Sequence, residues 1–209
     1  MSERDAAIGF GALRRADILG VVLAGGQSRR FGYDKAVMQL DGHRLIEHVA
    51  ARAKPQTPVL AISGREYGLG LPVIADASPS EGPLTGVLSA LAWAGAAGFL
   101  AVATFSCDAP FFPLDLVERL AAQLPPDSDC SFVRAGAARH PVFALWRVAC
   151  LDRLQELYVS GVRSLMIAQD RIGATAVVIP SGPGPGGDMF FNINRQEDQA
   201  AAQAWLDRR

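Results

Sequence analysis

A glycine-rich, positively charged loop follows the first apolar run of the chain. Residues 23–35 read LAGGQSRRFGYDK. Gly25 and Gly26 lack side chains, so backbone N–H groups there can approach an anion closely. Arg30 and Lys35 add positive charge that offsets phosphate oxygens. These residue types at this spacing predict a cradle for the phosphates of a nucleoside triphosphate.

Ordinary turns and two better-known phosphate loops are the alternatives to this interpretation. A Gly-Gly pair alone is common in tight turns, but the added arginine, third glycine and lysine favour phosphate binding. The P-loop string Gly-x-x-x-x-Gly-Lys-Ser/Thr does not occur in the sequence. A Gly-x-Gly-x-x-Gly match spans residues 182–187, but two prolines interrupt it and no helical pattern follows. We interpret that match as a coincidence within a flexible loop.

Two aspartates follow predicted strands. Asp76 comes directly after the run from Val73 to Ala75. Asp108 comes after the strongest strand pattern in the chain, from Phe99 to Phe105. Ligands bind beyond the carboxyl ends of strands in an open parallel sheet, and Mg²⁺ prefers oxygen ligands that it shares with phosphates. Asp108 is therefore the candidate magnesium ligand, and a turn aspartate that accepts backbone N–H bonds is the alternative.

Two asparagines near the end of the chain are further oxygen donors. Asn192 and Asn194 alternate around Ile193 in a strand-like segment, so both side chains are expected on one face. There they would add oxygen ligands for the same metal. The alternative for Asn194 is capping of the last helix, because Glu197 three residues later resembles a capping box.

His140 and Cys107 are reactive residue types close to these candidates. His140 precedes the predicted strand from Val142 to Trp146, and it either contacts a substrate or orients the turn. Cys107 precedes Asp108. We interpret this cysteine as a small buried residue rather than a nucleophile, because no histidine is evidently paired with it.

Length, charge and cysteine content limit the class of protein. Half of the 209 residues are apolar, which predicts one domain with a substantial core. The net charge of −1 argues against general electrostatic binding of nucleic acid. Cys107, Cys130 and Cys150 fit neither a disulfide framework nor a zinc motif, which predicts a cytoplasmic protein. No run reaches the roughly 20 apolar residues of a membrane helix. We expect a flexible extension over residues 1–16 and the folded domain over residues 17–209.

Short apolar runs alternate with helical patterns along the chain. The predicted strands are Ile18–Leu23, Val59–Ile62, Val73–Ala75, Phe99–Phe105, Val142–Trp146 and Thr175–Ile179. The predicted helices cover residues 45–53 and 84–92, the segment from Pro113 to Pro125, residues 148–169 with a break near Gly161, and the segment from Asn194 to Trp205. This alternation predicts a single-domain α/β fold with helices on both faces of a mostly parallel sheet, a three-layer sandwich.

These strings together resemble a known family, the molybdenum cofactor guanylyltransferases. The signature Leu-Ala-Gly-Gly-x-Ser-x-Arg-x-Gly-x-Asp-Lys matches residues 23–35. The likeness continues in the expected order through EGPLTG at 81–86, CDAPF at 107–111, HPVFAL at 140–145 and NIN at 192–194. It spans roughly residues 18–206. The first loop alone marks only the wider nucleotidyltransferase superfamily, so the later strings carry the narrower resemblance.

The resemblance implies a fold, an activity and a set of site residues. The fold is the Rossmann-like sandwich of the nucleotide-diphospho-sugar transferases. The activity is Mg²⁺-dependent transfer of GMP from GTP to molybdopterin with release of pyrophosphate. The implied nucleotide contacts are Leu23, Ala24, Gly25, Gly26, Lys35, Ser63, Asp76 and Asp108. The implied catalytic residues are Arg30, Lys35 and Asp108. The implied metal ligands are Asp108, Asn192 and Asn194. The candidates for contact with the pterin substrate are His140, Asn192 and Asn194.

Ser63 departs from the family pattern, in which some members carry asparagine after the second strand. Either Ser63 replaces that contact or the contact is absent, so guanine selectivity stays open. A cytidylyltransferase or a sugar-phosphate nucleotidyltransferase is the first alternative, and a non-catalytic nucleotide-binding accessory protein is the second. The expected partners are GTP and molybdopterin, with transient contact to a molybdoenzyme or a cofactor-insertion protein, and neither nucleic acid nor a membrane.

Overall fold

The apolar runs of the sequence form the strands of a seven-stranded sheet. In the computed structural model, which describes residues 13–24, 34–75 and 82–208, the strands are β1 Ile18–Leu23, β2 Gln39–Leu40, β3 His43–Arg44, β4 Val59–Ser63, β5 Val73–Ile74, β6 Ala101–Ser106, β7 Cys130–Ala135, β8 Ala138–Arg147 and β9 Thr175–Ile179. The sheet has the order β5-β4-β1-β6-β8-β7-β9, and β2 and β3 form a separate hairpin.

Among the described strands of this sheet, only β8 runs against the others. Strands β5, β4, β1 and β6 pair in parallel, β8 is antiparallel to both β6 and β7, and β9 is parallel to β7. The predicted mostly parallel sheet is therefore confirmed. The ends of β1, β4 and β6 and the beginning of β8 lie at the same edge, which we call the carboxyl edge.

Helices cover both faces of the sheet. They are α1 Leu45–Ala53, α2 Pro83–Ala96, α3 Leu116–Ala122, α4 Leu151–Val159, α5 Leu165–Ile172 and α6 Gln196–Leu206. Alternate residues of β1 enter two different core clusters, because successive side chains of a strand point to opposite faces. One cluster contains α1 and α3, and the other contains α2, α4 and α5. The predicted three-layer sandwich is confirmed.

The hairpin of β2 and β3 was not predicted, and two further elements differ from the sequence-based prediction. Strand β7 was not predicted, because serine and arginine interrupt its apolar pattern; it forms a hairpin with β8 through Gly136, whose φ of 55° suits glycine. Helix α3 begins at Leu116 rather than at Pro113. The backbone of Asp115 is non-helical, with φ −112° and ψ 19°. The turn that begins at Pro113 is therefore separate from the helix.

Ordered structure extends slightly ahead of the predicted domain boundary. Leu13 packs against the core, and Arg15–Asp17 form a 3-10 helix directly before β1. The rest of the predicted extension, residues 1–12, lies outside the described residues. No helix in the described part of the chain is long and apolar enough to cross a membrane.

Candidate functional site

Lys35 and Asp108 meet at the carboxyl edge. Asp108 lies two residues after β6, and Lys35 begins the short 3-10 helix Lys35–Val37. Lys35 Nζ lies 3.7 Å from Asp108 Oδ2, and the two side chains are 24% and 16% exposed. A cation and a carboxylate are thus held side by side where a ligand from solution can reach both.

Ser106 and Asn194 complete the polar group around this pair. Ser106 Oγ donates to Asp108 Oδ1 at 2.5 Å, and Lys35 Nζ donates to Asn194 Oδ1. The Ile193 N–H donates to the Asp108 carbonyl at 2.8 Å. This backbone bond attaches the segment before α6 to the end of β6, and it explains how Asn194 reaches a lysine 159 positions earlier in the chain. Ser106 was not predicted as a site residue.

The capping of α6 differs from the prediction. Arg195 is the N-cap residue, and the N–H groups of Asn194 and Arg195 both donate to Asp198 Oδ2 at 2.9 Å. The predicted capping box of Asn194 with Glu197 is therefore wrong, because Asp198 satisfies these N–H groups instead. The side chain of Asn194 is left available as an acceptor for Lys35.

Asn192 and Asn194 were expected to share a face of a strand-like segment. Residues 191–194 do not form a strand, but Ile193 is fully buried while both asparagines are exposed. The two side chains therefore lie on the solvent side of the buried isoleucine. Only Asn194 makes a hydrogen bond to Lys35 among the described residues, and metal binding by Asn192 stays a prediction.

Leu23, Ala24 and Ser63 lie at the same level of the carboxyl edge. Leu23 pairs with Ser63 of β4 and with Ser106 of β6, and the Ala24 N–H donates to the Ser63 carbonyl at 3.2 Å. Ser63 is 1% exposed. Helix α2 packs closely over it, since a Cβ atom on Gly86 would lie 2.9 Å from Ser63 Oγ. Ser63 therefore supports α2, and its contact with a nucleotide stays a prediction.

His140 lies at the same edge because β8 begins there. It pairs with Val133, and its ring lies against Phe190 with the ring centroids 4.8 Å apart. The Nε2 atom is buried and has no hydrogen-bond partner among the described residues. Burial lowers the pKa of the His140 imidazole, and the Asp188 carboxylate opposes this shift only in part. The folded protein therefore favours the neutral ring.

This burial predicts a pH-dependent stability that His140 controls. In the unfolded chain the imidazole takes up a proton near its usual pKa of about 6.5. The folded site resists this protonation. The folding stability is therefore lost as the pH falls through this value. His140→Gln should show a smaller drop in Tm than the unmodified protein between pH 7.5 and 5.5. His43→Gln removes an exposed imidazole and serves as the control. An equal acid-induced drop in Tm in His140→Gln and the unmodified protein would contradict the assignment.

Cys107 is half-buried against the core, and this burial bears on its role. Burial raises the pKa of the Cys107 thiol, and the negative charges of Asp108 and Asp34 raise it further. A thiol held in its neutral form is a poor nucleophile. The structure therefore agrees with the interpretation of Cys107 as a small packing residue beside the site.

Sequence reasoning missed a second polar cluster next to Lys35. It consists of Asp34, Arg65 and Tyr67. Asp34 lies inside the recognised loop signature and could have been singled out. Arg65 and Tyr67 lie in an irregular segment after β4 and carry no motif, so only the three-dimensional arrangement reveals them.

Four predicted site residues lie outside the described residues. They are Gly25, Gly26, Arg30 and Asp76. Their roles in binding phosphates and the nucleoside stay predictions. The described part of the site consists of the two ends of the glycine-rich loop and the residues that face them.

The arrangement fits a metal that is shared with a phosphate ligand rather than one enclosed by protein. Within residues 13–24, 34–75 and 82–208, no three histidine, cysteine, aspartate or glutamate side chains gather into a metal-binding group. Mg²⁺ commonly takes one or two carboxylates and completes its shell with water and phosphate oxygens. The Asp108 carboxylate and the Asn194 amide oxygen, which both contact Lys35 Nζ, are oxygen donors of this kind, and their binding of a metal stays a prediction.

Known proteins resemble this chain over nearly its whole length. The profile of the MobA-like NTP transferase domain matches residues 20–172. The molybdenum cofactor guanylyltransferase of Rhizobium leguminosarum bv. trifolii is 38% identical over 204 residues, which cover 94% of this chain and 96% of that protein. The protein of the same name from Rhodobacter capsulatus is 42% identical over 193 residues, which cover 89% and 95%.

A solved structure shares the fold. Molybdopterin-guanine dinucleotide biosynthesis protein A from Archaeoglobus fulgidus aligns with a TM-score of 0.69 at 23% identity. The alignment covers 91% of this chain and 100% of that one. The shared architecture therefore includes the sheet and the carboxyl edge.

Proposed function

Because the chain belongs to the molybdenum cofactor guanylyltransferase family of MobA-like NTP transferases, we propose that it transfers GMP from GTP to molybdopterin. The observation that carries this proposal is the 3.7 Å approach of Lys35 Nζ to Asp108 Oδ2 at the carboxyl edge. Two distant parts of the chain bring together the cation and the carboxylate that a triphosphate and its metal require.

The chemical step is an in-line displacement at phosphorus. An oxygen of the molybdopterin terminal phosphate attacks the α-phosphorus of GTP, a new P–O bond forms, and the bond to the β-phosphate oxygen breaks. Pyrophosphate leaves with that electron pair. The attacking oxygen is already anionic, so no protein nucleophile is needed. The protein must position two polyanions and offset their repulsion.

Lys35 is the described residue best placed to offset that charge. Its ammonium group lies between Asp108 and Asn194, so it is already oriented towards the site before a ligand binds. Arg30 and the backbone N–H groups of Gly25 and Gly26 would add to this charge. The proposed contacts on the pterin side are His140, which lies at the carboxyl edge, and Asn192, which lies beside Asn194.

Mg²⁺ is the proposed cofactor, and Asp108 with Asn194 and Asn192 would hold it. When bound, the ion would withdraw charge from the phosphate oxygens. Ser106 contributes by donating to Asp108 Oδ1 at 2.5 Å, which fixes one carboxylate oxygen and leaves Oδ2 directed towards Lys35. The carboxylate is thereby oriented by its own protein partners.

A thermal-melting screen with Mg²⁺ and each nucleoside triphosphate tests the choice of nucleotide. A ligand present at 100 times its Kd stabilises the folded state by about 2.7 kcal/mol. For a domain of this size, that raises Tm by about 5–10 °C. We expect GTP to give this shift and CTP, UTP and ATP to give much less. Preferential stabilisation by CTP or UTP would support a cytidylyltransferase or a sugar-phosphate nucleotidyltransferase instead.

Pyrophosphate release separates an enzyme from a nucleotide-binding accessory protein. Incubation with molybdopterin, GTP and Mg²⁺ is expected to release pyrophosphate, and omission of molybdopterin should stop it. Tight binding of Mg·GTP without any release would favour the accessory protein. In the cell we propose a cytoplasmic enzyme that passes its product on through transient contact with a molybdoenzyme or a cofactor-insertion protein.

A further inference from the structure

The position of Lys35 depends on its neighbour Asp34. Asp34 Oδ1 accepts a hydrogen bond from the Ala36 N–H at 3.0 Å and so caps the 3-10 helix that Lys35 begins. This bond fixes the backbone from which the lysine side chain extends towards the carboxyl edge. A movement of the Asp34 carboxylate would therefore move the Lys35 ammonium group as well.

Tyr67 and Arg65 hold the second oxygen of the same carboxylate. The Tyr67 hydroxyl donates to Asp34 Oδ2 at 3.1 Å, and Arg65 Nη2 forms an ion pair with that oxygen. The hydroxyl also lies 3.4 Å from the Ala24 carbonyl, directly after β1. Tyr67 thus contacts both residues that flank the segment 25–33.

Of these two partners, Tyr67 is held more firmly. It is 6% exposed within the core cluster of α1, and its carbonyl accepts from Arg44 Nη1 at 2.8 Å. The Arg65 side chain is 60% exposed, and ion pairs on the surface contribute little. Burial raises the pKa of Tyr67 to about 12. The hydroxyl therefore remains a hydrogen-bond donor at neutral pH.

We propose that Tyr67 is a positioning residue for Lys35. Its hydroxyl holds the Asp34 carboxylate, and that carboxylate fixes the helical turn from which Lys35 meets the phosphates of the nucleotide. The inference rests on the proposed function, because it assigns Lys35 to a bound triphosphate. Tyr67 acts through Asp34 and does not itself contact the reacting atoms.

Tyr67→Phe tests the proposal, because it removes the hydroxyl and keeps the buried ring. We expect the Kd for Mg·GTP, measured by calorimetric titration, to rise about tenfold. In a Lys35→Met background the same change should alter the Kd less than twofold, since there is no ammonium group left to position. If Lys35→Met binds too weakly for titration, Asp34→Ala provides the background, and Tyr67→Phe should again have less than a twofold effect.

Ser128→Ala is the matched control for the loss of a buried hydroxyl. Ser128 Oγ donates to the Cys130 carbonyl at 3.0 Å, before β7 and therefore at the opposite edge of the sheet. The control should lower Tm to a similar extent without changing the Kd for Mg·GTP. Arg65→Met should raise the Kd less than threefold, because its ion pair with Asp34 is exposed to solvent.

Two results would overturn the inference while leaving the proposed function standing. One is an unchanged Kd in Tyr67→Phe. The other is an equal increase in Kd in the unmodified and Lys35→Met backgrounds, which would mean that Tyr67 acts only through overall stability. Failure of the unmodified protein to bind Mg·GTP would reject the proposed function, and this inference with it.

Discussion

Asp108→Ala is expected to abolish GMP transfer, with a loss of about 10³-fold in the rate of pyrophosphate release. The carboxylate lies 3.7 Å from the Lys35 ammonium and is the described group best placed to hold a metal against the triphosphate. Its removal leaves Lys35 without its carboxylate partner and the proposed metal site without its only charged ligand among the proposed three. A steady-state assay of pyrophosphate release with molybdopterin and saturating Mg²⁺ and GTP measures the effect.

The fold should survive this change, because the structural contact of Asp108 is made by its backbone. The carbonyl that accepts from the Ile193 N–H at 2.8 Å is retained in alanine. Asp115→Ala is the matched control, since it also removes a carboxylate and an ion pair, with Arg119, but away from the site. Both variants should melt close to the unmodified protein. Near-normal turnover by folded Asp108→Ala would refute the assigned role.

The elements that frame this site could be predicted because each is a local pattern. The run Ile18–Leu23 is apolar throughout, as expected of a strand buried on both faces, and the structure forms β1 with the same bounds. The carboxyl edge follows from the order of strands and helices, and it placed the expected ligand site after β6. Asp108 was found in this way because it follows a strong strand signal, whereas Lys35 was found because it ends the glycine-rich, positively charged loop that follows β1 in the sequence.

The contacts of these two residues were predicted only in part, because they depend on packing between distant parts of the chain. Asn194 was interpreted as a metal ligand or as a helix cap paired with Glu197, but Arg195 is the N-cap residue and Asp198 takes the place expected of Glu197. Nothing local distinguishes one acidic residue of the first turn from the next. Tyr67 lies in an irregular segment whose path depends on how β4 and α1 pack, so its hydroxyl contact with Asp34 has no sequence signal.

Lys35→Met should have the second large effect, a loss of about 10²-fold in kcat/KM for GTP, which corresponds to about 2.7 kcal/mol of lost transition-state stabilisation. Methionine keeps most of the length of the side chain and removes its charge. The ammonium group of Lys35 makes its described contacts only with Asp108 and Asn194, so the change withdraws charge from the site without disturbing the core.

The same change at the other lysine of the chain provides the control for Lys35→Met. Lys54 is exposed after α1, and Lys54→Met should leave kcat/KM for GTP unchanged. Lys35→Arg sharpens the test, because it restores the charge in a planar, branched group that cannot occupy the same place between Asp108 and Asn194. We expect Lys35→Arg to recover part of the affinity for GTP and little of the turnover. Full activity in Lys35→Met would show that the phosphates are neutralised elsewhere.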